Sequence, residues 1–222
     1  VYANMDVSVI DELPPGRKPI QTSCLPLSRK DKLIERILAA TQQGSKVYWI
    51  CPLIEESENL DLNAVMETYE DLSEHFSQEK VGCLHGKLSA NKKQEQIQAF
   101  KDSKTSILVS TTVVEVGVDI PDADIMVIEN AERFGLAQLH QLRGRIGRGT
   151  KESFCILLHK DKIQDVSSQR LQVLVDSQDG FKIAEEDLVI RGRGEIMGAQ
   201  QTGIVPMKYT NLVRDSQYLM ET

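Results

Sequence analysis

The chain has 222 residues, of which 41% are hydrophobic, so it can bury a core large enough for one domain, or for one domain with an appendage. Its formal net charge of −7 argues against diffuse attraction of the whole surface to nucleic acid, because phosphate binding needs clustered Lys and Arg. No run of about eighteen apolar residues is present, and the first residues lack a basic stretch followed by a hydrophobic one. No membrane segment is therefore predicted, and the expected location is the cytoplasm.

The four cysteines, Cys24, Cys51, Cys83 and Cys155, are far apart in the sequence and form no C-x-x-C pair. This spacing predicts neither a zinc site nor a redox pair, and buried free thiols in a reducing compartment are the expectation. The acidic residues of segment 55–71 have no cluster of His or Cys with them. They are interpreted as a solvated helix face, and no metal site is predicted.

Short β-rich runs alternate with helical stretches along the first 160 residues. The predicted strands, which are nearly continuous in apolar residues, are Ile20–Leu25, Lys46–Cys51, Val81–Leu84, Ser106–Ser110, Ile125–Glu129 and Ser153–Leu158. The predicted helices are Arg29–Gln43 with a C-terminal cap at Gly44, Leu60–Phe76, and Ala90–Phe100 with an N-terminal cap at Ser89. Apolar strands that alternate with helices predict an α/β fold with a parallel sheet that is covered on both faces.

Beyond Leu158 the alternation stops. Two helical stretches, Lys162–Ser177 and Phe181–Ile190, are separated by Gly180 and predict a helical hairpin. The glycine-rich stretch Arg191–Gly203 follows and predicts a loop, whereas a flexible tail is the interpretation that composition alone favours.

Three arginines and a glutamine fall within eight residues, beside two glycines: Gln141, Arg143, Gly144, Arg145, Gly147 and Arg148. Guanidinium groups donate in a planar fork that fits phosphate oxygens, and glycine lets the backbone come close, so the pattern indicates a polyphosphate site. An ordinary basic surface helix explains the bare pattern equally well. The segment GCLHGK at 82–87 is not a phosphate loop, because its glycines are too close together and Leu88 stands where Ser or Thr must bind Mg²⁺.

The segments STTVVEVGVDIP at 110–121 and QLRGRIGR at 141–148 resemble the last two motifs of the superfamily-two nucleic-acid helicases and translocases. The longer run ENAERFGLAQLHQLRGRIGRG narrows the resemblance to two bacterial types of DNA translocase, one that remodels branched DNA and one that couples transcription to repair. Agreement in NMDVSVIDELPPGRKPIQT, YWICPLIEESE, LHGKLSANKKQEQIQAF and DLVIRGRGEIMGAQQTG favours the branched-DNA type over essentially the whole chain. The resemblance implies a second RecA-like motor domain of the P-loop NTPase-like helicase C-terminal type at 1–160, and a translocation-motif hairpin and loop at 161–222.

The resemblance also implies roles around a nucleotide. ATP with Mg²⁺ would lie between this domain and a first motor domain upstream. Gly117 and Asp119 would approach the ribose and phosphates, and Arg145 and Arg148 would act as arginine fingers. Gln141 suits the orientation of water or of a phosphate oxygen, because a carboxamide does not titrate near neutrality. A cap of the following turn is the alternative for Asp119. Because the phosphate loop is missing, the isolated chain is expected to show no ATPase activity.

Contacts with DNA are implied at two predicted strand ends. Thr111 and Thr112 follow a buried strand and would meet the nucleic-acid backbone, with helix capping as the alternative. His85 and Lys87 belong to the HGKLS segment near the nucleic-acid groove, where a plain strand-to-helix turn is equally compatible with the sequence.

Arg191 and Gln201 match the arginine and glutamine of the translocation motif, so the resemblance implies that they couple the ATP-sensing helix to DNA movement. The sequence departs from the usual RGPGELLGTRQTG, since Arg193 replaces the proline and Ala199-Gln200 replaces Thr-Arg. The first change loosens the turn, and the second removes an ion-pair or phosphate partner.

The implied function is that of the C-terminal motor half of an ATP-dependent branched-DNA helicase, in recombination and the repair of stalled replication forks. Its partners would be forks, Holliday junctions, and the upstream motor and wedge domains of the same polypeptide, and the protein would act as a monomer. The alternatives are the transcription-repair coupling translocase and a catalytically silent nucleic-acid-binding module.

Overall fold

A six-stranded parallel sheet lies at the centre of the structure, a computed structural model that describes residues 18–52, 58–77, 80–111, 123–147, 149 and 151–190. The strands are β1 (Ile20–Pro26), β2 (Val47–Cys51), β3 (Val81–Leu84), β4 (Ile107–Thr111), β5 (Ile125–Ile128) and β6 (Ser153–His159). The helices are α1 (Lys30–Gln42), α2 (Glu58–Phe76), α3 (Ala90–Lys101), α4 (Leu136–Arg143), α5 (Asp165–Asp176) and α6 at 180–190, with short 3-10 turns at Leu27–Arg29 and Ala131–Arg133. The strand order is β1-β6-β5-β2-β4-β3.

The central strands are buried on both faces. Every residue of β2, β4 and β5 is buried, as the near-continuous apolar sequences of these strands require. Strand β3 lies at one edge of the sheet, and its exposed edge is covered in part because Cys83 N donates to Gln96 Oε1 at 3.3 Å. This coverage reduces the number of backbone groups that another strand can pair with.

Helices cover both faces of this sheet. Helices α1 and α2 pack on one face around Trp49, Val109 and Val127. Helices α3, α4 and α5 pack on the other face around Ile50 and Met126. The predicted α/β fold class, a parallel sheet with helices on both faces, is therefore confirmed.

The helix ends follow local sequence signals. The Ser89 side chain accepts a hydrogen bond from Lys92 N at 3.4 Å at the start of α3, and Gly44 follows α1 with a φ of 84°. Both caps confirm the sequence-based assignments. The predicted strands agree with the observed ones to within one or two residues at each end.

The two predicted helices are present as α5 and α6, which share a core with the sheet through Leu171, Leu174 and Ile183. Asp179 Oδ1 accepts from Phe181 N at 2.8 Å and so caps the start of α6. The predicted loop Arg191–Gly203 lies outside the described residues.

All four cysteines are free thiols, as predicted. Cys51 and Cys155 are buried, whereas Cys24 and Cys83 are only partly buried, so the expected burial holds for two of them. Burial raises the pKa of Cys83 to about 11 and that of Cys155 to about 12, which keeps both in the unreactive thiol form near neutrality. Among the described helices, none combines the length and apolar character needed to cross a bilayer.

Candidate nucleotide and DNA interface

The arginine-rich motif begins on α4 and continues into the turn after it. Leu136, Leu139 and Leu142 bury one side of this helix, and Gln141 is exposed on the other side. Arg145 N donates to Leu142 O at 2.9 Å, so Arg145 lies just beyond the helix end, where it is partly exposed. Gln141 and Arg145 are thus both accessible to a ligand.

Arg145 lies close to a buried tyrosine on β2. Burial raises the pKa of Tyr48, against the opposing effects of a hydrogen bond with Ser110 and of the nearby Arg145 guanidinium. Ser110 Oγ donates to Thr111 O at 2.8 Å at the end of β4. The charge of Arg145 thus acts on Tyr48, whose hydrogen-bond partner Ser110 lies next to Thr111 at the end of β4.

Gly147 lets the turn after α4 pass close to β1. Its φ is 76°, in the left-handed region that favours glycine, and a Cβ at this position would lie 3.0 Å from Ile20 Cγ1. The second glycine of the motif is thus required by backbone conformation and by packing against β1.

Arg143 is buried and cannot contribute to an accessible polyphosphate site, and this corrects the sequence-based interpretation. Its exposure is only 3%, and its Nη1 donates to Leu174 O at 2.7 Å and to Ser177 O at 2.9 Å. It lies on the same side of α4 as Leu136 and Leu139, because it follows them by seven and four residues. This arginine therefore faces α5 and is buried inside the protein.

The predicted DNA contacts lie at the carboxyl ends of two neighbouring strands. Thr111 is the last residue of β4 and is 3% exposed, so its hydroxyl is inside the protein. His85 follows β3 directly, and Lys87 is exposed in the same turn. Burial, together with the cations Lys93 and Lys87, lowers the pKa of His85 and favours its neutral form near neutrality.

His85 also lines a cavity of about 480 Å³ between α2, β3 and α3. The remaining predicted site residues lie outside the described residues: Thr112, Gly117, Asp119, Arg148, Arg191 and Gln201. Within the described residues, no group of His, Cys, Asp and Glu could hold a metal ion.

A charged network around the buried Glu129, at the end of β5, was not predicted from the sequence. Glu129 is 7% exposed, and its Oε1 lies 2.9 Å from Lys30 Nζ, which also pairs with Asp71 Oδ2 at 2.8 Å. Its Oε2 accepts from Thr68 Oγ1 at 3.1 Å, and Lys30 Nζ lies 5.7 Å from the centre of the Trp49 ring. The available signal was an acidic residue directly after a wholly apolar strand. Because Asp71 pairs here, it is not only part of a solvated acidic face.

Comparison with known proteins identifies the family of this chain. Residues 29–150 match the family described as the helicase conserved C-terminal domain, and residues 177–222 match the C-terminal part of domain 3 of the ATP-dependent DNA helicase RecG. The ATP-dependent DNA helicase RecG of Pasteurella multocida is 50% identical over 220 residues, which are 99% of this chain and 32% of that protein. The protein of the same name from Escherichia coli K12 is 49% identical over 221 residues, again 99% of this chain and 32% of that protein.

The solved structures agree with this assignment. The structure of RecG bound to a three-way DNA junction matches with a TM-score of 0.68 and 43% identity, over 94% of this chain and 27% of that chain. The helicase MrfA bound to DNA, at 15% identity and a TM-score of 0.51, shares the fold. The chain spans about a third of the length of the curated relatives it matches. This chain therefore belongs to the family of helicase conserved C-terminal domains, and it is similar to the RecG helicases along nearly its whole length.

Proposed function

We propose that this chain is the C-terminal motor half of an ATP-dependent branched-DNA helicase that acts in recombination and in the repair of stalled replication forks. The observation that carries the proposal is the agreement with RecG helicases over nearly the whole chain. Forks and Holliday junctions are the proposed DNA partners, in keeping with the RecG structure on a three-way junction. The active protein is proposed to be a monomer that includes upstream motor and wedge domains.

The proposed nucleotide chemistry rests on two accessible side chains, Gln141 on α4 and Arg145 just after it. Arg145 is partly exposed, and we propose that it donates to the γ-phosphate of ATP, with Arg148 as a second arginine finger. Exposed Gln141 orients the attacking water or a phosphate oxygen. Gly117 and Asp119 complete this half of the site. The fork geometry of a guanidinium suits the spread of charge that develops as the phosphoryl group transfers.

Mg²⁺ with the substrate ATP is proposed to be held mainly by the first motor domain. When bound, it neutralises charge on the phosphate oxygens. Because the sequence contains no phosphate loop, the 222 residues alone are proposed to be inactive, and an ATPase assay of the pure chain should give only background turnover.

The proposed DNA contacts are at the carboxyl ends of β3 and β4, which are neighbours in the sheet. Lys87 is exposed there and can approach a backbone phosphate, and His85 lies beside it. Because the Thr111 hydroxyl is inside the protein, its proposed contribution is to set the end of β4, and the phosphate contact falls to Thr112.

ATP hydrolysis and DNA movement are proposed to depend on different parts of the chain. Residues 1–160 form the motor domain, and residues 161–222 form the hairpin and the loop that couple hydrolysis to DNA through Arg191 and Gln201. The sheet and α4 fall in the first part and α5 and α6 in the second.

The test is DNA-stimulated ATP hydrolysis and unwinding of a three-way junction by the full-length parent protein. Arg145→Ala should lower hydrolysis by about 10³-fold or more, as for other arginine fingers. Gln201→Ala should keep hydrolysis and lose unwinding. Arg133→Ala is the matched control, because Arg133 is an exposed arginine just before α4. If Arg145→Ala behaves like Arg133→Ala, Arg145 is not an arginine finger and the proposed nucleotide chemistry fails at this residue.

A further inference from the structure

Among the described residues of the motif at 141–148, Arg143 has a side chain that makes several buried hydrogen bonds. Its Nη1 reaches Leu174 O at 2.7 Å, Ser177 O at 2.9 Å and, more weakly, Thr22 Oγ1 at 3.4 Å. Its Nη2 lies 3.1 Å from His140 Nδ1. The guanidinium thus joins the end of α4 to the end of α5.

The acceptors are the groups that a helix leaves unpaired at its C-terminal end. Leu174 O belongs to the last turn of α5, and Ser177 is its C-cap. The last carbonyls of a helix have no partner within the helix and carry the negative end of its dipole. A buried guanidinium there satisfies these oxygens and is itself stabilised by the dipole. A lysine ammonium has no planar fork with which to meet both carbonyls and the histidine ring.

The turn between α5 and α6 is held by two further contacts. Gln178 Nε2 donates to Ile20 O at 3.0 Å, and Ile20 N donates to Gln178 Oε1 at 3.2 Å, so the turn pairs with β1. His140 covers the start of α6 so closely that a Cβ on Gly180 would lie 3.1 Å from its Nε2. The turn is therefore fixed between α4 and β1, and Arg143 supplies its buried contact with α4.

We infer that Arg143 is a positioning residue that joins the arginine-finger turn to the hairpin, so that a displacement of Arg145 on ATP binding or hydrolysis moves the hairpin with it. Arg143 lies two residues before Arg145, and the helix ends between them at the Gly144 cap. Arg143, before Gly144, is hydrogen-bonded to the end of α5, and Arg145, after Gly144, has a partly exposed guanidinium. The same short segment of backbone therefore connects the hairpin to the proposed arginine finger. This inference rests on the proposed function.

The test measures coupling in the full-length parent protein. Arg143→Lys keeps the charge and loses the fork, and Arg133→Lys is the matched control on an exposed arginine. The measured quantities are the KM for ATP, DNA-stimulated kcat and the number of ATP molecules hydrolysed per three-way junction unwound. Arg143→Lys should leave KM within about 2-fold, because this residue does not touch the nucleotide, and should raise the ATP consumed per junction about 5-fold or more.

Two results would overturn the inference. If hydrolysis and unwinding fall together at an unchanged ATP cost per junction, Arg143 is only a structural support. If KM rises as it does in an Arg145→Ala variant, Arg143 acts on the nucleotide. His140→Ala removes one partner of Arg143 from a half-buried position and serves if Arg143→Lys does not fold. It should shift the ATP cost in the same direction by a smaller factor, and an unchanged cost counts against the inference.

These outcomes are distinct from failure of the proposed function. If Arg145→Ala has no effect on hydrolysis, the arginine-finger role of Arg145 and the positioning role of Arg143 fall together. If Arg145→Ala abolishes hydrolysis but neither Arg143→Lys nor His140→Ala changes the ATP cost, the motor assignment stands and only the positioning role is wrong.

Discussion

The buried network around Glu129 allows a quantitative test of what holds the end of β5 in place. In Glu129→Leu, the Lys30 ammonium, whose side chain is 22% exposed, keeps only Asp71, which is 41% exposed and screened by water. The Thr68 hydroxyl also loses its carboxylate acceptor. Removing one partner of a fully buried ion pair costs about 3–5 kcal/mol, and the remaining partner and partial hydration reduce this to about 2–3 kcal/mol here. For a chain of this size, Tm should fall by about 4–12 °C.

Urea and thermal unfolding of the single and double variants provide the assay. Lys30→Met combined with Glu129→Leu leaves no half-buried cation, so the double variant should be more stable than the sum of the single effects predicts, by about 1–2 kcal/mol. Glu67→Leu is the control, since Glu67 is an exposed carboxylate on α2 and should change stability by no more than about 0.5 kcal/mol. If Glu129→Leu matches this control, or if the two single effects simply add, the network does not stabilise the fold.

Three further outcomes follow from local geometry. Gly147→Ala should cost about 1–3 kcal/mol in urea unfolding, because of its φ of 76° and the 3.0 Å approach to β1, whereas Gly149→Ala, with open space, should be nearly neutral. Ser89→Ala should lose about 1 kcal/mol as the cap of α3 disappears, and an unchanged midpoint would show that the cap contributes nothing. Burial, and secondly the nearby Arg143, lower the pKa of His140 in the folded state. On acidification the unfolded chain is therefore protonated at this position before the folded chain is. Stability should therefore decline as pH falls below about 6.5, and His140→Gln should flatten that part of a Tm profile.

Most of the sheet could be predicted from the sequence because its strands are buried on both faces. Runs such as VYWIC and ILVST allow few structures besides a central parallel strand, and all predicted strands are present. The element boundaries were less certain. Lys162–Ser177 was predicted as helix, but α5 spans Asp165–Asp176, because helix ends depend on tertiary contacts as much as on propensity.

The candidate site was harder to predict because a sequence motif lists residue types but does not give the orientation of each side chain. Gln141 and Arg145 are accessible, as the motif indicated, but Arg143 falls in register with Leu136 and Leu139 and turns inward. The helical period would have predicted this orientation had it been applied to the motif itself. The pairing of Glu129 with Lys30 was beyond the sequence, since it joins positions 99 residues apart that only the sheet topology brings together.

The shared core has a consequence for where DNA movement can be coupled to hydrolysis. Leu171, Leu174 and Ile183 pack in the same core as the sheet, so the boundary proposed between 160 and 161 separates two patterns of secondary structure and not two cores. Since packed cores deform little, α5 and the start of α6 must move with the motor domain as one body. Ile190, the last described residue of α6, is still buried. On the proposed function, the described part of the hairpin would therefore move with the arginine-finger turn as part of the same body, with Arg143 as its polar link to α4.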